Sequence, residues 1–189
     1  SNKPFGINIY IGQRKSNIVN AKIIVVSTAI SKTNEEYVAA KKMFLPIVHR
    51  SEMLGELMRL KQSIAIAGTH GKTTTTSLIA KMIEENGMDP TIINGGIISS
   101  LASNARLGNG EWMVVEADES DGSFAKLNPT AAIITNIDLE HLDYHKTEEN
   151  LETAFFNFVS SIPFYGFVCL WIDNPCLLYT SPSPRDPWK

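Results

Sequence analysis

The segment Gly68-Thr69-His70-Gly71-Lys72-Thr73-Thr74 carries the residue types that hold phosphate. Two glycines free the backbone, so that successive N–H groups can turn towards anionic oxygens. Lys72 brings a cation with the reach for β- and γ-phosphates, and the Thr73 hydroxyl can ligate Mg2+. The general phosphate-loop pattern has a further glycine five positions before its second one. Here that position is Ile66, so GTHGKT is a compact variant. An ordinary strand-to-helix turn that contains Gly-Lys-Thr by chance is the bland alternative. The apolar run before the segment and the amphipathic run after it argue against that. His70 taken alone reads as a solvated loop histidine.

Two further clusters could work beside this loop. Trp112 to Phe124 (WMVVEADESDGSF) sets Glu116 at the end of an apolar run, then crowds Asp118, Glu119 and Asp121 around a Gly/Ser turn. A carboxylate flush with a strand end can complete the oxygen shell of Mg2+, whereas Asp121 fits a solvated acidic turn equally well. Ile133 to His145 (IITNIDLEHLDYH) offers Asn136, Asp138, His141 and Asp143. TNID is similar to the base-reading loop of GTPases, but the lysine that stacks on the base is missing. On general grounds a lone histidine such as His141 is more often structural than a ligand.

These groups can cooperate only if strand ends bring them to one edge of a parallel sheet. Ile23–Ser27, Ile64–Ala67, Met113–Ala117, Ala131–Thr135 and Phe167–Ile172 are short apolar runs, which predicts strands buried on both faces. Asn8–Ile11 is another strand-like run, and Leu45–Val48 a brief extended one. Helices are predicted over Asn34–Met43, capped by Thr33 or Asn34, and after Ser51, with Met53, Leu54, Leu57 and Met58 on one face. A third spans Thr73–Glu85, with Leu78, Ile79, Met82 and Ile83 inward and Asn86-Gly87 as its stop. Thr147 caps a fourth, with Leu151, Ala154, Phe155, Phe158 and Val159 on its apolar face. Strands alternating with helices predict an α/β fold with a mainly parallel sheet, and Lys61-Gln62 is the expected domain junction.

Composition narrows the partners. Lys and Arg number 17 against 20 Asp and Glu, for a net charge of −3, which excludes broad electrostatic binding to nucleic acid. No run reaches the roughly 18 apolar residues of a spanning helix, and no secretory pattern opens the chain, so membrane insertion is not expected and the cytoplasm is. Cys169 and Cys176 make neither a disulfide framework nor a zinc pattern, and Cys169 reads as a small buried hydrophobe. Pro182, Pro184 and Pro187 forbid regular structure in residues 176–189, which read as a stretch foreign to the domain.

GTHGKTTTTSL, GMDPTIINGG, SNARLGNGEWMVVEADESDGSF, TNIDLEHLD and IPFYGF together closely resemble the ATP-dependent Mur ligases, over about Ile7 to Pro175. Members that add L-alanine to UDP-N-acetylmuramate match best. The resemblance implies that residues 1–61 are part of a Rossmann-like N-terminal UDP-substrate-binding domain. Residues 62–175 are then an incomplete P-loop central ATPase domain, and the chain is an inactive fragment. The implied reaction is peptidoglycan synthesis, in which ATP converts the lactyl carboxylate to an acyl phosphate that L-alanine attacks. By the same resemblance Gly68, Thr69, His70, Gly71, Lys72, Thr73 and Thr74 bind ATP. Lys72, Glu116 and His141 are catalytic. Thr73 and Glu116 hold one Mg2+, and His141 contacts a second. Ser27, Asn94, Gly95, Asp118, Ser120, Asp121 and Ser123 lie on the substrate side. Two alternatives remain. Ligases that attach a whole tripeptide share GTHGKTTTT, although SNARLG and DESDGSF favour alanine. A nucleotide-binding switch explains the Gly-Lys-Thr loop but not the acidic and histidine-bearing strand ends. Oligomeric state is not legible.

Overall fold

A β-branched run, a capped helix and a second extended run form the first parallel crossover. Strand β1 (Ile24–Val26) is followed by helix α1 (Glu35–Lys42) and strand β2 (Ile47–His49), and β1 pairs with β2 in parallel, Val26 opposite His49. Asn34 caps α1, its side-chain oxygen accepting from the N–H groups of Glu36 and Tyr37 at 2.9 and 3.2 Å. Glu35 and Glu36 in the first turn and Lys41 and Lys42 in the last complement the helix dipole. Helix α2 (Arg50–Met58) follows directly. This computed structural model describes residues 7–98, 103–118, 122–138, 145, 147–171 and 173, and the chain divides into two units, residues 1–53 and 54–189.

The second unit is built on a sheet of β3 (Gln62–Ala67), β4 (Thr91–Ile98), β5 (Ser103–Arg106), β6 (Trp112–Glu116), β7 (Ala131–Ile134) and β8 (Phe167–Leu170). Its order is β5-β4-β6-β3-β7-β8, parallel throughout except for β4 with β5. Helix α3 (Lys72–Glu85) covers one face, where Ala80 packs with Ile64, Ile66, Ile92 and Val114. Helix α4 (Glu148–Ser160) covers the other, packing Leu151, Phe155 and Phe158 against Ala65, Val115 and Ile134. Phe124, from a short 3-10 turn (Ser123–Lys126), stacks at 5.2 Å from Phe155 and 5.1 Å from Phe158. Thr147 caps α4 as expected.

Several expectations are corrected. Asn8–Ile11 is not a strand, and Ile9 and Ile11 are exposed. On α3, Leu78 and Met82 face solvent at 60% and 62% exposure, while Thr76 and Ala80 are buried. Ile79 and Ile83 pack against the sheet as expected, and Thr76 and Ala80 take the places beside them that Leu78 and Met82 were expected to fill. On α2, Leu57 is exposed and Gly55 turns inward, where a Cβ would stand 2.8 Å from the Lys126 carbonyl oxygen. Cys169 is exposed on β8 rather than buried, because it shares the outward face of the strand with Phe167 while Val168 and Leu170 pack against the core. Strands β4 and β5 have no counterpart among the predicted elements. Cys176 and the rest of residues 176–189 lie outside the described residues.

The turn before β6 is pinned by Asp89, whose Oδ2 accepts from the backbone N–H of Asn109 at 2.8 Å while Arg106 approaches Oδ1 at 3.1 Å. The Asn109 N–H is the main cause that holds the Asp89 carboxyl below its usual range. Desolvation opposes it, and the charge of Arg106 assists. A depressed carboxyl stabilises the fold above the ordinary carboxylate range, and that contribution is lost as pH falls through the folded value. Asp89→Asn should therefore lower the melting temperature at pH 7 and flatten its decline below about pH 4. Parallel melting curves for both proteins from pH 3 to 7 would contradict this assignment.

Candidate functional site

Strand β3 ends at Ala67, and the chain leaves the sheet through Gly68 and Gly71, whose φ angles of +126° and +80° lie in the left-handed region. A Cβ on Gly68 would also fall 2.8 Å from the Asn136 carbonyl oxygen, so the position is closed to larger residues on two counts. Gly71 precedes the first turn of α3, and no side chain caps that end of the helix. Lys72 folds back across that loop, its Nζ donating to the carbonyls of Gly68 at 2.6 Å and Thr69 at 3.1 Å. Thr73 and Thr74 are exposed at the start of the helix.

The segment after β7 holds the loop from one side. The N–H of His70 donates to Asn136 Oδ1 at 2.8 Å, and the His70 carbonyl accepts from Thr135 Oγ1 at 2.6 Å and Asn136 Nδ2 at 3.0 Å. Thr69 Oγ1 accepts from the N–H of Asp138 at 2.9 Å. His70 Nε2 lies 3.6 Å from Asp138 Oδ2, beyond hydrogen-bonding distance. Asp138, read from the sequence as a donor for a ligand, thus meets the phosphate loop through its backbone, while Asn136, read likewise, bonds it through its side chain. Thr135, which sequence reasoning missed, does the same, and its only signal was its place at a strand end.

On the other side of β3 stands Glu116, the last residue of β6, paired in register with Ile66. Its Oε2 accepts from Thr73 Oγ1 at 3.0 Å and from the N–H of Gly95 at 3.0 Å. An octahedral ion with oxygens at about 2.1 Å has neighbouring ligands about 3.0 Å apart. The Thr73 and Glu116 oxygens therefore stand where two adjacent Mg2+ ligands fit. No group of three His, Cys, Asp or Glu that could hold a metal ion occurs among the described residues. Such an ion would take its other ligands from phosphate and water, as Mg2+ commonly does.

Asn94 and Gly95 stand inside strand β4 rather than in a loop, and Asn94 is buried. Asp118 is exposed two residues beyond Glu116. Ser123 opens the 3-10 turn after Gly122, whose φ is +67°. Ser27, in the first unit, is half-buried directly after β1. Ser120, Asp121 and His141 lie outside the described residues. A cavity of about 870 Å³ opens at the opposite edge of the sheet, lined in part by Trp112, Tyr165 and Phe167. It carries none of the phosphate-binding groups.

Comparison with known proteins adds names to this geometry. Residues 66–183 match the Mur ligase middle domain, and residues 4–62 match the Mur ligase family, catalytic domain. A UDP-N-acetylmuramate--L-alanine ligase of Methylocella silvestris is 59% identical over 170 residues, covering 90% of this chain and 36% of that protein. A ligase of the same name from Rhodospirillum rubrum is 53% identical over 184 residues, covering 97% of this chain and 38% of that protein. Among solved structures, the UDP-N-acetylmuramate-alanine ligase of Thermotoga maritima matches with a TM-score of 0.80 at 27% identity, covering 94% of this chain and 41% of that one. A UDP-N-acetylmuramate:L-alanyl-gamma-D-glutamyl-meso-diaminopimelate ligase from Neisseria meningitides matches at 0.81 and 25%, covering 93% and 60%. The chain thus spans little more than a third of the length of the curated relatives described.

Gly95 matters because a Cβ there would come within 2.9 Å of Glu116 Oε1. The obstructed atom is the tip of a side chain, so Gly95→Ala should leave the fold intact and push the carboxylate aside. We expect Mn2+ affinity in the presence of ATP, read by electron paramagnetic resonance, to fall about tenfold with an unchanged circular dichroism spectrum. Unchanged affinity would show that Glu116 does not need this seat.

Proposed function

Because the chain belongs to the Mur ligase family, we propose that it forms the phosphate- and Mg2+-holding part of a ligase that uses ATP to join L-alanine to the lactyl carboxylate of UDP-N-acetylmuramate, in peptidoglycan synthesis. The observation that carries this reading is the 53–59% identity to ligases of that name along 90–97% of the chain. The Thr73–Glu116 pair beneath the phosphate loop supports it. The same reading divides the chain into residues 1–61, part of a UDP-substrate domain, and residues 62–175, an incomplete ATP-binding domain. The matches over 4–62 and 66–183 support that division.

In the proposed reaction a carboxylate oxygen takes the γ-phosphoryl group of ATP, giving an acyl phosphate and ADP. The amine of L-alanine then attacks the acyl carbon, phosphate leaves with the C–O electron pair, and the amine gives up a proton. The first step asks the protein mainly for positioning and charge neutralisation. Lys72 exchanges the carbonyls of Gly68 and Thr69 for phosphate oxygens, and the N–H groups of Gly71 to Thr74 hold the same oxygens. The bonds from Thr135 and Asn136 fix the loop in advance, so these donors reorganise little during the reaction. When bound, Mg2+ neutralises charge on the phosphate oxygens, and Thr73 and Glu116 hold it. We assign His141 to a second Mg2+, and Ser27, Asn94, Gly95, Asp118, Ser120, Asp121 and Ser123 to the substrate side.

The 53–59% identity to alanine ligases along 90–97% of the chain favours alanine as the acceptor. The test is phosphate release from ATP by the full-length protein carrying this segment, with UDP-N-acetylmuramate and either L-alanine or the tripeptide. L-Alanine should support release, and Lys72→Ala should reduce it about a hundredfold or more without unfolding the protein. Near-normal turnover in that variant would overturn the phosphate-loop assignment. A preference for tripeptide would move the protein to the other acceptor class.

A further inference from the structure

Asn94 is placed where an apolar residue would be expected. Ile93 pairs with Val115 of β6, so the next rung of the parallel ladder sets Asn94 beside Glu116. Ile92, two residues earlier on the same face of β4, belongs to the apolar cluster of Ile66, Ala80 and Val114 beneath α3. Two residues along a strand advance about 6.6 Å, and four along a helix about 6 Å. A step from Ile92 and Ala80 towards the phosphate loop therefore reaches Asn94 on the sheet and Thr76 on the helix. Asn94 is only 4% exposed and Thr76 fully buried. Neither amide atom of Asn94 nor the Thr76 hydroxyl has a hydrogen-bond partner among the described residues. Buried polar groups without partners destabilise a fold, so the ligand-free protein is less stable for having Asn94 there.

Glu116 supplies the reason. Both of its hydrogen bonds among the described residues fall on Oε2, from Thr73 and Gly95. An ion seated between Thr73 and Glu116 draws one carboxylate oxygen towards itself, and the other then needs a donor to fix its direction. We infer that Asn94 is a positioning residue for Glu116, its side-chain N–H donating to the carboxylate once an ion is held. This inference rests on the Mg2+-holding role proposed above for Thr73 and Glu116.

The test uses the 189-residue chain with Mn2+ and ATP, free Mn2+ being read by electron paramagnetic resonance, together with melting of the ligand-free protein. Asn94→Leu should weaken Mn2+ binding about tenfold. It should also raise the ligand-free melting temperature, by roughly 2–6 °C. In a Glu116→Gln background the same substitution should weaken Mn2+ no further, because the group it orients is gone. Asn94→Thr and Asn94→Val have the same shape and differ in one hydroxyl donor, so the Thr variant should bind Mn2+ several-fold more tightly. If Asn94→Leu does not fold, that pair decides, and equal affinities overturn the inference. It is also overturned by unchanged affinity in Asn94→Leu, by an equal loss in the Glu116→Gln background, or by a lowered melting temperature. If wild type binds Mn2+ no more tightly than Glu116→Gln and Lys72→Ala do, the reading of the site itself has failed.

Discussion

Strand β3 lies between β6 and β7, and its two parallel ladders decide where every phosphate-handling group leaves the sheet. Ile66 pairs with Glu116 on one side and with Ile133 on the other, so the loop after β3 emerges between the carboxylate and the Thr135–Asp138 segment. A one-residue slip of β6 against β3 would turn Glu116 to the opposite face, away from Thr73, and one of β7 would displace the Thr135–Asp138 segment. The register is secured by burial, since Ser63 to Ala67 are buried on both faces and have nowhere else to go.

The loop is fastened unevenly. Its His70 side is bonded to Thr135 and Asn136 through backbone N–H and carbonyl groups, which commits those groups to structure rather than to a ligand. Its far side is left to Lys72, Thr73 and Thr74. Lys72 donates to the carbonyls of Gly68 and Thr69, neutral groups that a phosphate can outcompete. A loop rigid at one flank, with a movable cation at the other, is suited to receiving an anion without rebuilding its backbone.

Legibility from sequence followed burial. Strands β3, β6 and β7 were readable because strands covered on both faces become continuous apolar runs. Strand β4 was not, because Thr-Ile-Ile-Asn-Gly-Gly-Ile-Ile breaks such a run with residues that strands disfavour. Strand β5, Ser-Asn-Ala-Arg, is polar because it is an edge. On α3 the inward Ile79 and Ile83 follow the apolar pattern, whereas close approach to the sheet selects the small Thr76 and Ala80 and leaves Leu78 and Met82 in solvent. The loop, Glu116 and their pairing were visible as residue types at strand ends, and the Asn136 contacts needed the three-dimensional register.

The same Asn-Gly pair that hides β4 from propensity reasoning is what the site requires. Gly95 gives up a side chain, and its Cα lies close against Glu116 while its N–H binds the carboxylate. Asn94 gives up apolar burial for an amide in the core beside the same group. Each departure works against local stability, and both lie next to one carboxylate. Two independent violations of strand preference around a single charged side chain are hard to account for as packing, since Val or Ile would pack better at position 94. They are accounted for if that carboxylate must be held in one orientation for an ion, since local sequence rules give way where function needs a group the fold alone would not choose.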